Sequence, residues 1–230
     1  MTAAPEDLAA VLDLTLLDPD LDDERVVAGI QEARRYGVAS VTVRPCDIDL
    51  AVRSLQGSAA RAGAVCGFPH GSQNTTVKLY EARDLLRRGA RDIAVVIGIS
   101  RLLSREFQHV QTELSQLAES CHAERGRLTV ILEAGYLTDE LKVIACACCE
   151  RAEVDFVAPA TGFGPAIDVA AELSFLRRRL PEEIGLQAGG IHSLDEALAL
   201  REAGCSRIGT ATPGAILDEW KARQAATQQS

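Results

Sequence analysis

Residues 184–212 read IGLQAGGIHSLDEALALREAGCSRIGTAT. An apolar run at 184–188 leads into Gly189-Gly190. A segment starting near Ser193 then carries apolar residues at helical spacing and stops at glycine, and a second apolar run at 206–209 ends in Gly209-Thr210-Ala211-Thr212. Strand, glycine loop, helix, strand and loop in that order describe a parallel βα unit.

The same alternation extends through the rest of the chain. Residues 11–17, 38–43, 63–68, 91–97, 128–133 and 154–158 are further short runs rich in valine and isoleucine, which brings the strand candidates to eight. Between them lie amphipathic segments such as DDERVVAGIQEARRYG (22–37) and TVKLYEARDLLRRGA (76–90), with apolar positions at helical spacing. Eight such units in one uninterrupted chain predict an α/β protein, a single (β/α)8 TIM barrel, a fold whose typical length is ~250 residues. A doubly wound open sheet is the alternative and ordinarily uses fewer strands. The domain is expected to span 1–230, with a short N-terminal segment at 1–10 and a C-terminal tail at 213–230 that reads as a fraying terminal helix.

Composition narrows the function classes. The chain has 230 residues, 47% hydrophobic and 25% charged, and a net charge of −9 without a local basic cluster. That balance excludes disorder and disfavours nucleic acid as a partner. The first residues, MTAAPEDLAAVLDLTLLDPDLDDE, are acidic and lack a basic stretch followed by an apolar one. No run approaches the roughly 20 apolar residues of a membrane span, so no membrane partner and a cytoplasmic location are expected. The seven cysteines are an odd and scattered set, read as reduced thiols. Cys146-Ala-Cys-Cys149 puts two thiols one helical turn apart, but zinc needs a second convergent pair. No metal and no cofactor are expected, and these cysteines read as small buried hydrophobes. Only Lys78, Lys142 and Lys221 are lysines, against 21 arginines, so amine nucleophiles are scarce.

In a barrel, function sits at the C-terminal ends of the strands. That rule nominates Asp13, Thr15, Thr42, Arg44, the stretch Phe68 to Asn74 with His70, Gly98, Ser100, Glu133, Ala158 to Gly162, Gln187 to Ile191, and Gly209 to Thr212. The glycine loops after strands seven and eight stand where barrels commonly bind phosphate, because glycine lets backbone N–H groups approach an anion. His192 also follows a glycine loop, whereas His109 and His122 fall within a helix.

At these residues the chain resembles the deoxyribose-phosphate aldolase family, from about Asp13 to Thr212. The segments that carry the resemblance are LDLTLLDPDLDDERV (12–26), GFPHGSQNTTVKLYEA (67–82), LEAGYLTDELKVIAC (132–146), VDFVAPATGFGP (154–165), LQAGGIHSLDEALALREAG (186–204) and RIGTAT (207–212). The resemblance implies a class I aldolase barrel, often dimeric, that cleaves 2-deoxyribose 5-phosphate without a metal. It also implies a Schiff-base lysine on strand six, a second lysine on strand seven that lowers the first one's pKa, and an aspartate on strand four that relays protons. Those positions fall here on Ala158, Gln187 and Ala94. Lys78 and Lys142 lie in helices and Lys221 in the tail, so Schiff-base chemistry is not expected.

The remainder of the implied pocket is present in part. Asp13 and Thr15 match the family's first-strand DxT, and Thr42 stands at a strand-two position where the family has cysteine. Thr161 and Gly162 match the segment after the Schiff-base lysine, and Gly189, Gly190, Ile191, Gly209 and Thr212 match the phosphate cradle, to which the same loop adds Thr210. The expected ligand is therefore a small phosphorylated or anionic metabolite, with Gln187 in the binding set. Any retained acid–base chemistry would fall to Asp13, Glu133 and His70. The alternative is a catalytically dead protein acting as an interaction or regulatory subunit, as a homodimer or paired with another subunit, and a working lyase is the second alternative.

Overall fold

Eight parallel strands close on themselves in sequence order, as seen in a computed structural model that describes residues 8–228. They are β1 (Leu12–Leu16), β2 (Ser40–Val43), β3 (Arg61–Cys66), β4 (Asp92–Val96), β5 (Arg127–Ile131), β6 (Phe156–Ala158), β7 (Gly185–Ile191) and β8 (Cys205–Thr210). Each leads to a main helix of the same number: α1 (Asp23–Tyr36), α2 (Ile48–Ser54), α3 (Thr75–Arg87), α4 (Phe107–Ala123), α5 (Asp139–Arg151), α6 (Val169–Arg177), α7 (Leu194–Glu202) and α8 (Pro213–Gln228). A short helix at Ile99–Leu103 precedes α4. The expected single (β/α)8 barrel is the observed fold.

Local chemistry sets the helix ends. Asp22, Asn74, Thr138 and Asp168 cap α1, α3, α5 and α6 by accepting a backbone N–H of the first turn. Ser193 and Glu196 form a reciprocal capping box at α7. Gly37 ends α1 in the left-handed conformation at φ 68°, where a side chain would be strained.

The period-2 alternation of each strand divides its side chains between two environments. On β4, Ile93 and Val95 are fully buried beneath the helices. Their neighbour Asp92 instead reaches Arg207 on β8, the strand facing it across the barrel.

Three boundaries differ from the sequence reading. Residues 213–228 form the expected terminal helix, α8, but it is docked rather than fraying: Ile216 and Leu217 are buried and it packs on α1, α7 and β1. In the N-terminal segment, Leu8 and Ala9 belong to the core, while residues 1–7 lie outside the described ones. β7 runs on through Gly189-Gly190 to Ile191, with an irregular register against β8 between Ala188 and Ile191. Gly190 sits there at φ 80°. A sequence pattern of apolar runs misses such an extension, because glycines interrupt the run while the backbone continues the ladder. No helix among the described residues is long and apolar enough to cross a membrane.

Candidate functional site

The barrel interior is built in layers. At the N-terminal pole Asp92 is held by three arginines: Arg61 Nε at 2.9 Å, Arg127 Nε at 3.0 Å and Arg207 Nη1 at 2.7 Å. Arg207 is itself buried and lies 4.5 Å over the Phe156 ring. Burial alone would push the Asp92 carboxyl up, yet Arg207, Arg127 and Arg61 together hold it below the usual carboxylate value. Three of the chain's 21 arginines, all on strands, thus converge on one buried carboxylate.

Above that layer, Asp13 of β1 accepts the Ser40 hydroxyl at 2.6 Å and the Thr42 hydroxyl at 2.8 Å. Its exposure is 0%, and burial pushes its carboxyl above the ordinary value despite Arg207, Ser40 and Thr42. Asp13 and Thr42, both expected in the site, are hydrogen-bonded to each other in the interior. A carboxylate with a raised folded pKa costs stability as pH climbs from about 4 through that folded value. Asp13→Asn, which keeps an acceptor for Ser40, is expected to leave stability at pH 7 unchanged or slightly raised by urea unfolding. A loss above roughly 2 kcal/mol would show that the charged form is what the fold uses.

The upper interior on the β4–β6 side is apolar. Val96, Ile131 and Ala158 form a buried cluster, with Phe68, Ala94 and Ile99 packed against it. Ala94 pairs in register with Thr129, and the Thr129 hydroxyl donates to Gln187 Oε1 at 2.9 Å. Positions 94, 158 and 187, far apart in sequence, thus line one interior, and each is neutral. All three lysines lie outside it. Lys78 is fully buried on α3 and donates to the Val96 carbonyl and to Glu113 Oε1 at 2.8 Å. Lys142 pairs with Asp139 and Glu172, and Lys221 is on α8 beside Asp218.

At the mouth, Glu133 and His70 line one cleft of about 320 Å³ together with Pro69, Ile99, Leu103 and Tyr136. Glu133 is 2% exposed and accepts the Thr161 backbone N–H. The Thr161 hydroxyl in turn accepts the Phe163 N–H at 3.0 Å, and Gly162 turns the loop at φ 86°. Thr161 is engaged within its loop, so what it presents to a ligand is limited.

Gly189 and Gly190, ahead of α7, and Ala211 and Thr212, ahead of α8, are exposed on the opposite side of the mouth. A Cβ on Gly209 would meet Thr15 Cγ2 at 3.1 Å and Gly189 Cα at 3.2 Å, so the two loops and β1 approach closely only because glycine is there. The Thr210 hydroxyl donates to the Ile191 carbonyl at 2.9 Å and accepts the Thr212 N–H at 3.1 Å. Thr210 and Ile191, both expected in the binding set, are buried and tie the loops together. His192 stays exposed, its N–H taken by Glu196. His109 and His122 contact Thr75 and Asp155 on the outer surface. Cys146, Cys148 and Cys149 are buried in α5, and burial pushes the Cys146 thiol up to about 11, which favours the unreactive protonated form.

Sequence reasoning missed Arg207 and Asp92, because a charged residue at the start of a strand reads as a solvated edge. The one available signal was period, and it is clear only on β4, where Asp92 alternates with Ile93 and Val95, while on β8 the residues alternating with Arg207 are Ser206, Ile208 and Thr210.

A family model described as DeoC/LacD family aldolase matches residues 8–169. The deoxyribose-phosphate aldolase of Caldanaerobacter subterraneus subsp. tengcongensis is 37% identical over 216 residues, covering 93% of this chain and 94% of that protein. Among solved structures, the aldolase QR15 superposes with a TM-score of 0.89 at 28% identity, over 96% of this chain and 98% of that one. The deoxyribose phosphate aldolase of Aeropyrum pernix, described as a unique tetramer, gives 0.86 at 30% identity over 95% and 92%.

Proposed function

The chain belongs to the DeoC/LacD family of aldolases, and from that premise we propose that it binds a small phosphorylated or anionic metabolite without the family's Schiff-base step. The observation that carries this reading is the buried apolar cluster of Val96, Ile131 and Ala158 with Ala94 against it. A Schiff base requires a deprotonated amine at the carbonyl carbon, with a nearby cation or desolvation to lower its pKa. Ala158 offers a methyl group at that position, Gln187 a neutral amide and Ala94 no proton acceptor. The joint change is physically coherent, because one survivor of a buried charge network would stand unpaired at a cost of ~3–5 kcal/mol, whereas an all-neutral set avoids it.

Support for the anion comes from the loops of β7 and β8. Gly189, Gly190 and Thr212 are exposed, and Gly189 lies against Gly209, so glycine backbone is open to an anion there. The start of α8 adds little, because Pro213 has no N–H and the Gly214 N–H already donates to Glu32. Thr15 lies against Gly209, and Gln187 accepts from Thr129 through its amide oxygen, which leaves its amide nitrogen as a donor for such a ligand. The test is thermal unfolding with inorganic phosphate, glyceraldehyde 3-phosphate and 2-deoxyribose 5-phosphate. Ligand at 100 times Kd raises stability by about 2.7 kcal/mol, roughly 5–10 °C for a chain of this size. Gly190→Leu meets open space at Cβ, so it costs only about 1 kcal/mol of left-handed strain while covering the loop. It is expected to abolish the ligand-dependent shift. A shift unchanged in that variant would remove the anion from these loops.

A second reading, an interaction subunit, draws on the groove of about 710 Å³ between α3 and α4, beside which Tyr80 is 70% exposed. Sedimentation of the pure protein and co-purification from its host test it, and a ligand-bound, self-contained monomer counts against it.

A further inference from the structure

One carboxylate at the mouth is buried without a counter-charge. Glu133 follows β5 with φ at 52°, a left-handed backbone that is uncommon for a side chain of this size. It is 2% exposed, yet it lines the cleft. Its side chain accepts the Thr161 N–H, and among the described residues no arginine, lysine or histidine is hydrogen-bonded to or ion-paired with it, although His70 lines the same cleft. Gly164 makes room for it: a Cβ there would collide with Glu133 Oε2. A desolvated carboxylate with one neutral donor is costly as it stands, and a cation completes it.

The walls select the kind of cation. Beside the polar His70, Ser72 and Ser100, the wall offers Pro69, Ile99, Leu103 and Tyr136 as an apolar and aromatic side, with Leu103 and Tyr136 53% and 50% exposed around the opening. A hard metal ion takes about six oxygen ligands, and no cluster of three metal-ligating side chains occurs among the described residues. A protonated amine needs one carboxylate and gains from an aromatic face, and the net charge of −9 attracts it from a distance. We infer that the β3–β6 half of the mouth, centred on Glu133, binds the ammonium group of a small ligand with an apolar or aromatic body. This site uses other residues than the glycine loops of β7 and β8, and so stands or falls separately from the anion reading.

Benzylamine and its neutral counterpart benzyl alcohol test it by NMR titration at pH 8 and constant ionic strength, with wild type, Glu133→Gln and Tyr136→Ala. Benzylamine is expected to bind saturably, on the order of millimolar for so small a molecule. Benzyl alcohol is expected to bind at least about tenfold more weakly, because it forgoes the charge-assisted bond. Glu133→Gln should lose that discrimination, and Tyr136→Ala, altered at an exposed ring, should keep the fold while weakening the amine severalfold. Gly190→Leu should leave amine binding intact. Equal binding of amine and alcohol, or no saturable amine binding by wild type, overturns the inference whether or not Glu133→Gln folds. A folded Glu133→Gln with unchanged amine affinity overturns it as well.

Discussion

Borohydride added to the protein with 2-deoxyribose 5-phosphate is expected to leave Lys78, Lys142 and Lys221 unmodified, with aldol cleavage on the order of 10⁴-fold or more below that of a lysine-bearing family member. The physical reason is reach and protonation together. Lys78 is fully buried on the outer side of the barrel wall and fixed to Glu113 and the Val96 carbonyl. Lys142 is held by two carboxylates that raise its pKa against the opposing effect of burial, the reverse of what a nucleophilic amine requires. Peptide mass analysis of the reduced mixture decides the matter: an adduct on any of the three lysines would sink the reading.

The complementary experiment installs the set that the proposed function takes to be absent. Ala158→Lys alone would place an ammonium among Val96, Ile131 and Phe68, where it should destabilise the fold by several kcal/mol. Ala94→Asp, Ala158→Lys and Gln187→Lys together supply the counter-charge and the cation that tunes the amine. Because the strands already bring these positions into one interior, the triple variant is expected to trap an adduct at 158 and to regain weak turnover. A folded triple variant without an adduct would mean that the cavity has been repacked beyond these side chains.

Asp92→Asn is expected to be the most destabilising single substitution among those considered, by ~3–5 kcal/mol, or on the order of 10 °C in Tm. Asp92 accepts from Arg61, Arg127 and Arg207, and the amide can accept on one oxygen only. Arg207, 5% exposed, is then left as a buried cation with a depleted partner. Adding Arg207→Met to Asp92→Asn should recover part of the loss, because the stranded charge is removed with it. The sign of the pH dependence follows from the lowered folded pKa. The contribution of Asp92 is fully present above the unfolded carboxylate value near 4 and is lost as pH falls through the lower folded value. Wild type should therefore lose stability steeply below about pH 4, and Asp92→Asn should lack that component. An Asp92→Asn variant within about 1 kcal/mol of wild type would show that the arginines find equivalent partners elsewhere.

The sequence by itself determined the fold class, the number of strands and where the mouth lies. Those properties follow from local periodicity and glycine placement: DDERVVAGIQEARRYG can bury only one face, and VASVTV is too short and too β-branched to do otherwise than pair. It also determined, through the resemblance, that positions 94, 158 and 187 are neutral. Tertiary structure alone decided what each interior residue faces. Asp13 and Glu133 read alike as carboxylates at strand ends, yet closure of the barrel puts Asp13 between Ser40 and Thr42 and leaves Glu133 open to a cleft. Nothing local distinguishes Arg207 from the solvated arginines of the helices, because its partner Asp92 is 115 residues away and meets it only across the closed barrel. Residues 213–228 likewise lack a strong pattern of their own and become α8 because β8 delivers them onto α1 and α7, whose apolar faces need a cover.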